Sequence, residues 1–128
     1  MIRLAPVDFL KIQHWFVDYQ KKSKNYEMPP EEAEILGIYK AEELIGYFIV
    51  VCYKSGLVEI NQGYLKPDAR HKLYSRVAME LLEKLVKDKG FNRIQLATNR
   101  AVGSYQRFMR NLGFSLVRAE FAKELKEV

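Results

Sequence analysis

From Glu59 to Phe114 the chain alternates between two hydrophobic periods, and this alternation limits the fold more than any other feature. Leu57 to Leu65 reads as a strand that runs into a basic turn, Lys66-Pro67-Asp68-Ala69-Arg70-His71-Lys72. Leu73, Val77, Ala78, Leu81, Leu82, Leu85 and Val86 then recur at helical spacing as far as Lys89-Gly90, a cationic last turn with a glycine stop. Arg93 to Ala97 returns to strand character. Tyr105, Phe108, Met109 and Leu112 make the apolar stripe of a second helix, with Ser104 as N-cap and Gly113 as stop.

Upstream, Ile35 to Lys40, Leu44 to Tyr53 and Leu57 to Leu65 are strands separated by the short turns Ala41-Glu42-Glu43 and Lys54-Ser55-Gly56, the spacing of an antiparallel meander. Ile2 to Leu4 is a short opening strand. Ile12, Trp15, Phe16 and Tyr19 mark a helix from Val7 to about Lys22, followed by a polar loop closed by Met28-Pro29-Pro30; Glu31 to Glu34 adds a helical turn. Leu116 to Phe121 is a last strand. The order predicts an α/β fold: a mixed sheet with an antiparallel N-terminal meander followed by β-α-β-α-β, and helices on both faces. At 128 residues and 48% apolar, the chain supplies one core and so one domain, 1–128.

Lys66 to Arg110 holds eleven Lys or Arg against four acids, so the motif half is basic while the rest of the chain sums to −2. Such a balance favours an anionic partner: a phosphorylated cofactor, a nucleic acid or an acidic surface. No run approaches the roughly 18 apolar residues of a membrane span, and Met1 to Pro6 has no signal-peptide pattern. Cys52 is the sole cysteine and sits in an apolar run. It reads as a small buried hydrophobe in a reducing cytoplasm. His14 and His71 have no carboxylate or thiol at ligand spacing, so no metal is expected.

The run Gly63-Tyr64-Leu65-Lys66-Pro67-Asp68-Ala69-Arg70, with its following turn and the closing Phe108-Met109-Arg110-Asn111-Leu112-Gly113-Phe114, resembles the GCN5-related N-acetyltransferase (GNAT) family. The resemblance implies a turn that cradles the pyrophosphate of acetyl-CoA with backbone N–H groups at a helix start, where donors and helix dipole both attract phosphate. It assigns cofactor binding to Leu65, Arg70, His71, Lys72, Leu73, Tyr74 and Ser75. Leu73 and Ser75 stand where the family's turn carries glycines that let backbone approach phosphate.

By the same resemblance Glu59, six residues before Leu65, is the candidate general base. Strict alternation puts Glu59, Asn61 and Gly63 on one face of that strand, and Val58, Ile60 and Gln62 on the other. Asn99 is placed to contact the pantetheine amides. Five residues before Phe114, where family members carry a Tyr that protonates the departing thiolate, stands Met109, which has no proton to donate. Tyr105, one helical turn earlier, is the substitute acid. Aromatics from Trp15 through Tyr19 to Tyr26, with Met28, line an acceptor pocket.

The implied function is transfer of acetyl from acetyl-CoA to a primary amine. A first alternative is a chain that has lost acetyl-CoA and serves as an interaction or assembly module, in the manner of the internal virion proteins of T7-like phages. Its setting would then be the virion. A second is a basic nucleic-acid binder, though it lacks the exposed aromatics of RNA-binding modules. The fourteen residues after Phe114 are too few for the long terminal hairpin of many family members, so this side of the acceptor cleft is either trimmed or completed by a second subunit, as in a homodimer.

Overall fold

A computed structural model describes residues 1–24, 26–96, 103–117, 123 and 125. The chain divides into two compact units, Met1–Ala97 and Thr98–Val128. The first contains β1 (Ile2–Pro6), α1 (Phe9–Ser23), β2 (Glu34–Lys40), β3 (Glu43–Cys52), β4 (Leu57–Leu65), a short 3₁₀ turn (Pro67–Ala69), α2 (Tyr74–Asp88) and β5 (Arg93–Leu96). The second contains α3 (Gly103–Asn111).

The sheet runs β1-β2-β3-β4-β5. The first four strands pair antiparallel and β5 joins β4 in parallel, from Leu57 opposite Arg93 to Ile60 opposite Leu96. A parallel neighbour requires a crossover, which α2 supplies. Gly90, at φ +92, ends it: the Phe91 N–H reaches back to the Val86 carbonyl at 3.0 Å and the Gly90 N–H to Lys87 at 3.0 Å. In α3 the same device recurs, with Gly113 at φ +90 and the Phe114 N–H donating to the Met109 carbonyl at 3.0 Å.

Two irregularities decide which side chains face where. In β3–β4, Ile49 pairs with Gln62 but Val50 pairs with Ile60, so Asn61 is an extra residue on β4. Cross-strand partners share a face of the sheet. Tyr47 with Tyr64, Ile49 with Gln62, and Val51 with Glu59 therefore look one way. Phe48 with Gly63, Val50 with Ile60, and Cys52 with Val58 look the other. Simple alternation thus fails here: Glu59 lies on the face of Gln62 and Tyr64, and Val58 and Ile60 lie opposite. The second irregularity inserts Ile45 between Leu44 and Gly46, which pair with Tyr39 and Ile38.

The first face is covered by α1. Ile12 and Phe16 of that helix form one buried cluster with Tyr47, Ile49 and Tyr64, and Trp15, Tyr19 and Ile35 pack around it. The other face holds Leu36, Ile38, Phe48, Val50, Val58 and Ile60, all buried, and α2 buries Ala78, Met79, Leu82 and Val86. At about 25 cal/mol per Å² of apolar surface, these side chains supply most of the drive to fold.

Three expectations need correction. Cys52 is exposed, because β2 ends at Glu34, opposite Val50, and leaves the last residue of β3 with a strand on one side only. Ser104 lies inside α3, which starts at Gly103. Residues 114–117 carry no strand, and the remainder of the Leu116 to Phe121 expectation lies outside the described residues. Among the described residues no helix is long and apolar enough to cross a membrane.

Candidate functional site

The turn after β4 is built from backbone inward. The Lys66 N–H donates to the Ile45 carbonyl at 2.8 Å, which anchors the exit of β4 to the irregular segment of β3. Pro67 opens the 3₁₀ turn, closed by Ala69 N–H to Lys66 at 2.9 Å and Arg70 N–H to Pro67 at 3.3 Å. Arg70 then folds back: its Nε donates to the Leu65 carbonyl at 2.7 Å, and its guanidinium lies 5.0 Å over the Tyr64 ring. At least part of this side chain is thus committed to holding the turn against β4.

His71, at φ +61, is the left-handed residue that reverses the chain into α2. Leu73 sits at φ −73 and ψ 3, a conformation open to any L-residue, and the residue is 72% exposed. Its bulk therefore points out of the turn, and the glycine conformation is required at 71 and not at 73. No side chain caps α2. Among the described residues the N–H groups of His71, Lys72, Leu73, Tyr74 and Ser75 donate to no carbonyl or side chain, and the first backbone bond is Val77 N–H to Leu73 at 3.1 Å. Five donors in succession are left for an anion.

Two cations stand near Tyr74, the first residue of α2. Lys40 Nζ stands 5.2 Å from the centre of the Tyr74 ring and Lys72 Nζ 5.7 Å. The hydrogen bond between Lys40 and Tyr74 raises the ammonium above its ordinary pKa and lowers the phenol below its own. Lys66 is engaged elsewhere, with Glu43 at 3.1 Å and Asp68 at 3.4 Å, and these partners raise its pKa.

On the α1 face, beside the extra residue of β4, lies a cavity of about 60 Å³ lined by Phe16, Tyr19, Gln20, Glu27, Met28, Asn61 and Gln62. Gln62 is the only buried polar side chain among the described residues, at 6% exposure, and its Nε2 donates to the Tyr47 hydroxyl at 2.7 Å. Burial holds the Tyr47 phenol well above its ordinary pKa, with Tyr64 and Tyr19 adding to the effect and the Gln62 bond opposing it. Tyr47 stacks on Tyr64 at 5.6 Å, and the Trp15 ring lies 5.8 Å from Tyr64.

The structure brings together Leu65, Arg70, His71, Lys72, Leu73, Tyr74 and Ser75 around the turn. Glu59 is half-buried on the α1 face, upstream of Asn61, and is not among the residues lining the cavity. Of the expected acceptor wall, Tyr19 and Met28 line the cavity, while Trp15 is taken into the core and Tyr26 is exposed. Asn99 lies outside the described residues. Met109 is half-buried within α3, and Tyr105 belongs to the same helix. Lys40, Tyr47 and Gln62 were not anticipated. A glutamine set at even spacing among Val58, Ile60 and Tyr64 was the available signal.

The fold matches solved structures at low identity. YycN of Bacillus subtilis, a candidate acetyltransferase, is 13% identical with a TM-score of 0.78, covering 99% of this chain and all of that one. AAC(6′)-Iy, solved with the bisubstrate analogue CoA-S-monomethyl-acetylneamine, is 12% identical with a TM-score of 0.68, covering 98% and 99%. The ribosomal-protein-S18-alanine N-acetyltransferase of Escherichia coli is 10% identical with a TM-score of 0.73, covering 92% and 80%. At these identities the likeness is one of fold. No curated protein matches the sequence. The family profile described as "Acetyltransferase (GNAT) family" matches residues 6–114, most of the chain, and on that match the chain belongs to the GNAT acetyltransferase family.

Proposed function

We propose that the chain moves an acetyl group from acetyl-CoA to a primary amine as a single domain. The observation that carries this reading is the row of five unengaged N–H donors, His71 to Ser75, beside Lys40 and Lys72. It is a donor set suited to a pyrophosphate. The family match, which runs through both units, supports the single domain.

In the reaction the amine lone pair attacks the thioester carbonyl carbon, the C–S bond breaks and CoA departs as a thiolate. The ammonium form must first lose a proton, and Glu59, through a water, is the base proposed for it. The thiolate must gain one. Met109 cannot supply it, so water or the Tyr105 hydroxyl does. Positioning of amine against thioester provides most of the acceleration.

Calorimetry with acetyl-CoA tests the reading. Binding at micromolar Kd or tighter is expected; absence of heat at millimolar ligand overturns it. Glu59→Gln should lower turnover at neutral pH more than it changes acetyl-CoA affinity, and the deficit should shrink as pH rises and the amine deprotonates itself. An unchanged rate removes Glu59 from the mechanism. Met109→Tyr should raise acetyl transfer by up to about 10²-fold by restoring a proton donor. A parent chain that binds acetyl-CoA but acetylates no amine, with Met109→Tyr also inert, supports instead a non-catalytic interaction module. The thioether at 109 favours that second reading.

A further inference from the structure

Tyr64 is a buried phenol that the proposed reaction does not use, and its ring is where the core meets the turn. From the core side, the Tyr47 ring stacks on it at 5.6 Å and 19°, and the Trp15 ring lies 5.8 Å away. These contacts belong to the packing under α1, where Tyr64, 8% exposed, shares one cluster with Ile12, Phe16, Tyr47 and Ile49. From the turn side comes the Arg70 guanidinium, 5.0 Å from the ring centre. Arg70 follows the 3₁₀ turn and immediately precedes the five donors.

Arg70 is gripped at two consecutive residues of β4. Its Nε donates to the Leu65 carbonyl at 2.7 Å while its guanidinium lies over the Tyr64 ring. One hydrogen bond alone leaves a long side chain free to pivot, and ordering such a chain is costly. A second contact removes that freedom. An aliphatic side chain at 64 would fill the same core, but it has no negative face to offer a cation. Arg70 is half-buried, and a cation that has lost part of its hydration is held most firmly by such a face. Its backbone continues directly into His71, so the place at which Arg70 is held sets where the row of N–H groups begins.

We infer that Tyr64 is a positioning residue for acetyl-CoA: its ring holds Arg70 and, through Arg70, keeps the donors of residues 71–75 in place against β4. For its ligand this rests on the acetyl-transfer reading. It makes the aromatic character of residue 64 a determinant of cofactor affinity, exerted through Arg70 and not by contact with the cofactor.

Two measurements on the full-length protein test it. The first needs no ligand: exchange of the Arg70 Nε–H with water, followed by NMR. Tyr64→Phe should leave that rate within about twofold of the parent's, and Tyr64→Leu should raise it at least about tenfold. The second is the acetyl-CoA Kd by calorimetry. Tyr64→Phe should keep it, and Tyr64→Leu should raise it about tenfold. A fully fluorinated phenylalanine at position 64 keeps the shape of the ring and reverses the polarity of its face; it should also bind acetyl-CoA about tenfold more weakly than Tyr64→Phe. In an Arg70→Ala background the same changes at 64 should alter Kd by less than about twofold, because the group they act through is gone. A role confined to core packing would show no such dependence on Arg70.

The inference falls if Tyr64→Phe loses as much affinity as Tyr64→Leu, since the hydroxyl and not the ring would then matter. It falls if the fluorinated ring supports binding as well as phenylalanine does, or if the losses at 64 persist undiminished without Arg70. Equal Nε–H exchange in every variant also overturns it. If Tyr64→Leu does not fold, the fluorinated ring, which preserves the packing, decides in both measurements. A parent that takes no acetyl-CoA overturns the acetyl-transfer reading instead, and exchange at Arg70, read without ligand, still decides whether Tyr64 holds that side chain.

Discussion

Gly46→Ala is expected to destabilise the protein by about 3 kcal/mol, a large share of the 5–15 kcal/mol that holds a domain folded. A Cβ at position 46 would stand 2.1 Å from the Tyr64 carbonyl oxygen and 3.1 Å from the Leu65 Cα. Both are backbone atoms of the paired strand and cannot swing aside, so β3 and β4 would have to part where Gly46 faces Leu65. Gly37→Ala is the control. Its Cβ would meet Tyr39 Cε2 at 2.8 Å and Leu44 Cδ1 at 2.9 Å, both ends of side chains that can shift. Urea denaturation should rank Gly46→Ala as the costlier by at least about 1 kcal/mol. Equal losses would mean that the strands do not approach so closely. Because Leu65 and Lys66 lead directly into the turn, the part of the Gly46→Ala protein that stays folded should also bind acetyl-CoA less well.

Arg70→Ala should weaken acetyl-CoA binding by about 10- to 10²-fold, the range of a lost charged hydrogen bond. Two routes lead to that loss, and salt separates them. If the guanidinium touches phosphate, the variant's affinity should depend less steeply on ionic strength than the parent's. If Arg70 acts only through the Leu65 carbonyl and the Tyr64 ring, affinity falls while the salt dependence stays as it was. The committed Nε makes the second route the expected one. Arg70→Lys should recover little on either route, since an ammonium cannot hold the carbonyl and stack flat on the ring together. Affinity unchanged in Arg70→Ala would remove this residue from the site.

Periodicity made the strands, the crossover helix and the glycine stops legible, because each is written in residues a few positions apart. Lys89-Gly90 and Gly113-Phe114 ended their helices as expected, with Gly90 and Gly113 both left-handed. Facing was another matter. Alternation along Leu57 to Leu65 assumes one residue per rung, and the extra Asn61 breaks that count without any local mark such as glycine or proline. The turn is illegible for a related reason. The residue order marks Leu73 and Ser75 as the positions of interest, whereas the left-handed residue is His71, a type that tolerates that region better than most. Cys52 shows the limit of reading burial from apolar neighbours. A strand end is decided by the length of the adjacent strand, which lies elsewhere in the chain.

Asn61 has an implication for how this chain can change over generations. Its side chain is exposed, so for folding almost any letter would serve there. Folding can spare the slot as well. Were one codon lost, Gln62 would stay opposite Ile49 and Ile60 opposite Val50, now as immediate neighbours on β4. Strict alternation would then give the facing that the extra residue already allows, with Glu59 beside Gln62 and Tyr64, and Val58 and Ile60 opposite. Substitution and deletion at 61 should therefore both pass with little effect on the core. What deletion would take away is the local irregularity beside the cavity, so a length change here is a route by which the site could vary while the fold stays.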